Sequence, residues 1–399
     1  MKEQNARISI SDKDQEWDKT FWNIPDWDSE KIRAAKVMVV GAGALGNEVI
    51  KNLTLLNVGH IVVVDFDVVE YSNLAKSILF REEDRGIKKA LAITKNLKKI
   101  NSNVKTLSII GDISTDVGLG VMRRMDVVIG CLDNRLARMF INRYCFRLGK
   151  TWVDGGIENL SGKFSVYTPG ISCYECTLSE DAREIIEFRL GCPDVVKRNA
   201  SRGTISTTPI ASSIIAGFQV QEALKIIFDN TEDSMAGLVF RFDGLCNSFL
   251  RYKESKLKQD CNSHEYYDTI VEAQDLSFKS TVKEVIKWLS DYFKTKHIKI
   301  LLDEDIVLEV ATMNKKFDTA IYKNHLNDTE TAKSFDWDEA LGETIYIKKS
   351  IAYIDRKFPY QNKTLEEMGI PFLHILKVDT ENDIHLVELS GDEPLLDFK

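Results

Sequence analysis

Apolar positions set the rhythm of the first 170 residues. Short apolar runs at Lys36–Val40, Ile61–Asp65, Lys105–Gly111, Asp126–Cys131 and Thr151–Asp154 alternate with stretches where apolar residues recur every three or four positions, at Ala44–Leu56, Lys88–Ile100 and Arg135–Leu148. Continuous runs suit strands buried on both faces, and the longer period suits helices with one apolar side. Strands alternating with helices predict βαβ units, so the fold class read here is α/β, with a doubly wound, mostly parallel, Rossmann-like sheet. "GKFSVYTPG" (Gly162–Gly170) reads as a further strand running into a turn. Thr204–Phe228 reads as a strand or turn followed by a long, nearly all-apolar helix, which is the pattern of a buried helix.

The pattern restarts near Ser280. A helix over Thr281–Lys294 leads into the alternating segments "IKILLD", "IVLEVA", "ETIYIKK" and "LHILKV", with a short helix, "TLEEMGI", before the last. From "ETIYIKK" onward the order is strand, polar stretch, short helix, strand, loop, strand, which suits a β-grasp and predicts a C-terminal α+β domain. The expected organisation is a polar N-terminal arm (1–34), an α/β domain (35–268) with an irregular crossover at 171–205, and a small domain (280–399). No period of 20–50 residues repeats, which excludes a solenoid.

Composition narrows the classes. A chain of 399 residues is long enough for two or three domains, and 44% apolar with 29% charged residues is ordinary for a globular protein. The net charge of −8 argues against a broad nucleic-acid or membrane surface. No apolar run of about 18 residues is present, so no membrane helix is expected. The polar start "MKEQNARISISDKDQEW" lacks an apolar signal core, so the expected location is cytoplasmic. Seven cysteines at irregular spacing read as core thiols, metal ligands or a nucleophile rather than as disulfides.

Candidate chemistry begins at Gly41, Gly43 and Gly46. This Gly-x-Gly-x-x-Gly follows a strand and opens a helix, where absent side chains and free amides accommodate phosphate. Asp65 ends the next strand at a distance suited to a ribose hydroxyl. Alone, this describes NAD or FAD as well as ATP. The next residues shift the balance, because Asn73, Lys76, Arg81 and Lys89 gather polar and cationic groups at the strand end. Hydride transfer needs few cations there, whereas a triphosphate develops charge on its α-phosphate and on leaving pyrophosphate. Asp133, beyond a strand and before a helix, suits a Mg²⁺ ligand. Its plain alternative is a helix N-cap.

Together Gly41–Gly46, "VVDFDVVEYSNL", "IKKA", "CLDNRLARMFIN", "DGGIENLSG", "CYEC" and "FQVQEALK" resemble the adenylating core shared by ThiF, MoeB and the E1 activators of ubiquitin-like proteins, over roughly residues 20–265. The resemblance implies ATP with Mg²⁺ and adenylation of the C-terminal glycine of a small β-grasp protein. It implies that Asp65 binds ribose, that Asn73 and Lys89 meet phosphates, and that Asp133 holds magnesium. The family's usual "SNLNRQ" is "SNLAKS" here, so Lys76 and Ser77 stand where arginine and glutamine are usual. Lysine keeps the charge but loses the two-pronged grip, and Arg81 is a candidate to compensate.

Cys173 and Cys176 ("CYEC") and Cys261 and His264 ("CNSH") are two pairs with two-residue gaps, suiting structural tetrahedral zinc. The family places zinc pairs here, usually as four cysteines, and His264 as fourth ligand is an inference from spacing. The alternative is that the pairs are vestigial. Cys192 lies in "EFRLGCPDVVKRN" among Arg189, Lys197 and Arg198, cations that favour a thiolate. A thiolate can attack an acyl-adenylate to form a thioester, and conjugating E1 enzymes carry their transfer cysteine in this crossover. The alternative is an inert loop thiol. "NKTLEEMGIPFLHILKV" resembles the end of the ubiquitin-fold domain with which E1 enzymes recruit an E2, and its alternative is a domain that aids folding or dimerisation. The segments "NIPDWDSEKIRAAKVMVVGAGALGNEVIKNL" and "RLGC" bring the chain nearest to single-chain E1-like proteins of bacterial ubiquitin-like conjugation linked to phage defence, a group that implies a homodimer. A sulfur-carrier adenylyltransferase, an oxidoreductase and a catalytically silent scaffold are the other readings.

Overall fold

Val-rich runs form the centre of the molecule because β-branched side chains pack well when a strand is covered on both faces. A computed structural model of the chain describes residues 17–191, 206–230, 232–254, 256–311, 315–327, 346–396 and 398. Helix α1 (Ser29–Ala34), capped by Asp28, precedes β1 (Lys36–Val40). There follow α2 (Ala44–Leu55), β2 (His60–Val64), α3 (Tyr71–Leu74), α4 (Lys89–Ile100), β3 (Lys105–Ile109), α5 (Leu119–Arg123), β4 (Val127–Gly130), α6 (Arg135–Arg147) and β5 (Trp152–Glu158). The five strands are parallel in the order β3-β2-β1-β4-β5.

Beyond β5 the sheet turns antiparallel through β6 (Ser161–Tyr167), β7 (Leu238–Asp243) and β8 (Ser248–Lys253). Between β6 and β7 lie α7 (Tyr174–Thr177), α8 (Glu180–Gly191) and α9 (Pro209–Ile227). Alternate strand residues feed two cores. Val37, Val39, Ile61, Val63 and Ile129 pack with α2, α4 and α9, while Met38, Val40, Val62, Val64 and Val128 pack with α5 and α6.

Helix α9 is buried, as its apolar pattern predicts, but it departs from the expectation that no stretch is long and apolar enough to span a membrane. Its 19 residues are long and apolar enough to cross a membrane by length and composition alone. Ala211, Ile215, Ala216, Val220, Ala223 and Leu224 are buried against the sheet.

The C-terminal unit is α+β. Its strands are β9 (Ile270–Glu272), β10 (Lys299–Ala311), β11 (Lys316–Tyr322), β12 (Tyr346–Asp355), β13 (Ile375–Asp379) and β14 (Ile384–Glu388), with α10 (Val282–Phe293) crossing between β9 and β10. The sheet order is β11-β10-β13-β14-β9, and β12 pairs with β10 as well. First and last strands, β9 and β14, lie side by side and parallel. Helix α10 starts at a Thr281–Glu284 capping box, in which each side chain satisfies the other's free amide. Val282, Val285, Ile286 and Leu289 bury its apolar stripe.

Three details differ from the sequence pattern. "IKILLD" and "IVLEVA" form one strand, β10, whose register shifts between Leu301 and Ile306 absorb the acidic Asp303–Asp305 between the two apolar runs. "TLEEMGI" forms a single 3-10 turn, Glu366–Met368, ended by Gly369 with φ 84°. Strand β11, whose sequence "KFDTAIY" alternates poorly, was not expected at all.

The C-terminal sheet packs onto α5 and α6. Leu373 and Ile375 join the core beneath those helices. Glu388 has no exposed side-chain surface and pairs with Arg123 and Arg124, each at 2.9 Å. Arg147 pairs with Glu265 at 2.9 Å and with Asp303 at 2.8 Å. Removing one partner of a buried pair strands the other's charge. Glu388→Ala is expected to cost roughly 2–4 kcal/mol, below the usual range for a fully buried pair because both arginines reach water. Urea denaturation of the full chain reads this directly, and a loss under about 0.5 kcal/mol would show that the pair does not hold the unit in place.

Candidate nucleotide site and metal knot

The strand order reverses between β1 and β4, and ligands of such sheets bind in the crevice at the strand ends there. The amides of Gly41, Cys131 and Asp65 reach the carbonyls of Val64, Val40 and Ile109 at 2.9, 2.8 and 3.1 Å, so the ends of these strands stand in one row. Gly41 has φ 97°, and a Cβ there would lie 2.5 Å from the Cys131 carbonyl oxygen. At Gly46 a Cβ would lie 1.9 Å from the Gly41 carbonyl oxygen. These two glycines let β1 turn sharply into α2, while Gly43 faces open space and caps the helix without a side chain.

Asp65 sits at the end of β2. Its Oδ2 accepts the Ala42 amide at 2.7 Å and its Oδ1 the Asp67 amide at 2.8 Å. Burial pushes its pKa above the usual carboxylate value, and the two amides and Lys89 oppose that push. Each oxygen keeps a lone pair for a ribose hydroxyl.

Asn73 Oδ1 accepts the Glu70 amide at 2.9 Å, which leaves its NH₂ group without an acceptor among the described residues. Lys89 begins α4, and its Nζ lies 2.7 Å from Asp67 Oδ2, with two further donors to spare. The Lys76 side chain is half-buried and has no partner among the described residues. Arg81 is exposed and gives one guanidinium nitrogen to the carbonyls of Ile78 and Phe80, at 2.5 and 2.9 Å. Its other N–H groups are what it has left for a phosphate.

Asp133 follows β4 and is exposed. The N-cap of α6 is Asn134, whose side chain accepts the Leu136 amide at 2.9 Å. The capping alternative therefore falls to its neighbour, and the Asp133 carboxylate is left without a hydrogen bond among the described residues. Arg138 holds the loop behind it by donating to the Asp154 carboxylate at 2.8 Å, to the Gly155 carbonyl at 2.9 Å and to the Leu132 carbonyl. From α9, Gln219 donates to the Gly130 carbonyl at 2.9 Å.

Sequence reasoning missed Asn47. It is fully buried in the first turn of α2. Its NH₂ group donates to the carbonyls of Ala42 at 2.9 Å and Gly43 at 3.1 Å, and its Oδ1 accepts the Leu79 amide at 3.0 Å. A polar residue with its neighbour Glu48 also buried, in an otherwise apolar stripe, was the available signal.

The second cluster joins Cys173, Cys176, Cys261 and His264, whose ligand atoms all lie within 4.8 Å of one another. Cys173 Sγ and Cys261 Sγ are 3.9 Å apart, and Cys176 Sγ is 3.5 Å from His264 Nε2. Tetrahedral zinc with Zn–S near 2.3 Å requires sulfur atoms about 3.8 Å apart, so the donor set fits. The Cys173 thiol is pulled below the usual thiol value, first by the Cys261 thiol and, against its burial, by Asn142. Asn142 of α6 donates to Cys173 Sγ at 3.2 Å, and the His264 ring stacks on Phe146 of the same helix, centroids 4.6 Å apart. Arg143 grips Glu175 with two bonds, at 3.0 and 2.9 Å, and Glu175 accepts from Ser263 at 2.6 Å. Among the expected site residues, Cys192 lies outside the described residues; α8 ends at Gly191.

Fold and site thus define a Rossmann-like α/β protein with a glycine turn at its switch point and a Cys₃His cluster beside α6. The chain belongs to the ThiF family, whose family model matches residues 19–263. It is 31% identical over 246 residues to adenylyltransferase and sulfurtransferase MOCS3 of Mus musculus, covering 61% of this chain and 51% of that protein. It is 34% identical over 149 residues to SUMO-activating enzyme subunit 2 of Dictyostelium discoideum, covering 37% of this chain and 22% of that protein. A crystal structure of E. coli MccB with succinimide superposes with a TM-score of 0.49 at 24% identity, covering 59% of this chain and 68% of that one. The chain spans about half the length of the MOCS3 relatives it matches.

Proposed function

We propose that this chain is an E1-like activating enzyme that adenylates the C-terminus of a ubiquitin-like protein with ATP, takes the acyl group as a thioester and passes it to an E2. The observation that supports the reading is the row of strand ends at Gly41, Asp65 and Cys131 in a ThiF-family chain, with Asp65 on the Ala42 amide and Lys89 on Asp67. Asp65 receives the ribose, the α2 amides and the Asn73 and Lys89 side chains receive phosphate, and Lys76 and Arg81 add charge. Asp133 would hold Mg²⁺, which supplies neutralisation of the triphosphate charge.

The carrier's terminal carboxylate oxygen forms a bond to the α-phosphorus, and the bond to the β-phosphate breaks, releasing pyrophosphate. The Cys192 thiolate then attacks the acyl carbon and AMP leaves. The E2 thiol takes the acyl group in turn and regenerates Cys192. Zinc on Cys173, Cys176, Cys261 and His264 is structural, since four protein ligands leave no open position.

E2 recruitment is assigned to the C-terminal unit, whose sheet is covered by α10 on one face and by α5 and α6 on the other, with β9, β11 and β12 each paired on one side only among the described residues. A homodimer is part of the reading. Its support is an apolar groove of about 330 Å³ between α9 and the antiparallel strands, with Phe218, Phe249 and Leu250 exposed at its lip. Placement among bacterial phage-defence conjugation systems, in the cytoplasm, rests on the "RLGC" and N-terminal segments.

Cys192→Ala is expected to keep ATP–pyrophosphate exchange within about threefold of wild type and to abolish the reductant-sensitive carrier adduct, because the thiol acts after adenylation. Gel analysis with and without reductant reads this, and an adduct that persists in the variant would remove Cys192 from its role. A second reading, adenylation of a sulfur carrier without an E2, is favoured by the adenylyltransferase and sulfurtransferase relatives. A thiocarboxylate product formed without E2 would select it.

A further inference from the structure

We infer that Asn47 is a positioning residue for phosphate binding: it sets the direction of the Gly-loop amides and ties that loop to the segment carrying Asn73 and Lys76. The inference rests on the nucleotide-site reading above and adds a residue that the Gly-x-Gly-x-x-Gly pattern does not contain.

The geometry follows from the peptide group. In a trans peptide the carbonyl and the following N–H point in opposite directions. Asn47 draws the carbonyls of Ala42 and Gly43 toward itself, at 2.9 and 3.1 Å, into the buried side of the loop. The N–H groups of Gly43 and Ala44 belong to those same two peptides, so they are directed the other way, away from that buried side. Neither N–H has an acceptor among the described residues. Two uncommitted amides at the start of a 12-residue helix are what an anion requires. Held in advance by a buried side chain, they need no reorientation when a phosphate arrives.

The same side chain reaches the second loop. Asn47 Oδ1 accepts the Leu79 amide at 3.0 Å, and Leu79 follows directly on the segment that holds Asn73, Lys76 and Ser77. That segment is anchored from the far side as well, where Asn96 donates to the Leu79 carbonyl at 2.9 Å. Asn47 therefore serves two parts of the site at once. Its three bonds cannot be replaced by an apolar side chain of similar size, and a carboxylate would face two carbonyl oxygens with no proton to offer.

The test uses the full chain, with calorimetric titration of ATP–Mg²⁺ and of adenosine, which lacks phosphates. Asn47→Ala is expected to weaken ATP binding on the order of 10- to 100-fold and adenosine binding by less than about threefold, because the amides serve phosphate alone. Asn47→Ser, whose hydroxyl can still donate to the Gly43 carbonyl one turn back, should recover part of the loss. Thr54→Val removes another buried side-chain bond of α2, to the Ile50 carbonyl, far from the loop, and should leave both affinities unchanged. ATP affinity unchanged in Asn47→Ala would overturn the inference, as would equal weakening of ATP and adenosine, the mark of a merely structural role. Wild-type protein that binds no ATP–Mg²⁺ would instead sink the functional reading, and the inference with it.

Discussion

Asp133→Ala should lower ATP–pyrophosphate exchange by about two to three orders of magnitude, the usual size of losing one group aimed at developing phosphate charge. The chain should fold as before. Asp133 is exposed and makes no hydrogen bond among the described residues, while capping of α6 falls to Asn134. The adjacent pair therefore separates chemistry from structure. Asn134→Ala should cost about 1 kcal/mol of stability, as N-cap losses do, and leave exchange within a few-fold. Asp133→Asn keeps shape and loses the charge that holds a hard cation, so it should behave like the alanine variant. Exchange kinetics with any competent carrier protein, alongside thermal melts, read both effects. Full exchange in Asp133→Ala would place the magnesium carboxylate elsewhere and leave the Gly loop open to a dinucleotide.

The second large effect concerns the metal knot. Purified protein should contain about one zinc per chain, and Cys261→Ser should cost several kcal/mol, since binding energy at a structural zinc is folding energy. The loss should spread beyond the knot. Helix α6 supplies Asn142 to Cys173 Sγ and Phe146 to the His264 ring, and its N-terminus follows Asp133 directly. The knot also bridges the end of the α/β core, at Cys261 and His264, to the segment after β6. His264→Cys keeps four ligands and should retain both zinc and stability. Metal analysis and urea titration with and without chelator measure this. Zinc-free protein in which Cys261→Ser melts like wild type would mean that the four side chains are packing residues.

These effects divide along the line between what is local and what is not. The parallel βαβ rhythm was legible because a buried strand and an amphipathic helix write their periods into consecutive residues, and β1, β2, β3 and β4 fell within two residues of their expected bounds. The Gly41–Gly46 turn and the Asp65 strand end were legible for the same reason, as local backbone needs. Strand β11 and the joining of "IKILLD" to "IVLEVA" were not, because partners on both sides of β10 decide them.

The residues alone determined the order of elements through β5, the Gly41–Gly46 turn and the two thiol-bearing pairs, since each is settled within a few positions of chain. Tertiary structure alone decided that Cys173 meets Cys261, that Asn47 ties the glycine turn to the Leu79 segment, that Asn134 and not Asp133 caps α6, that α9 lies against a sheet, and that Glu388 locks the second unit onto α5. The physical reason is that burial and hydrogen-bond pairing are properties of neighbours in space. Closing the loops that bring such neighbours together costs entropy that no short window of sequence displays.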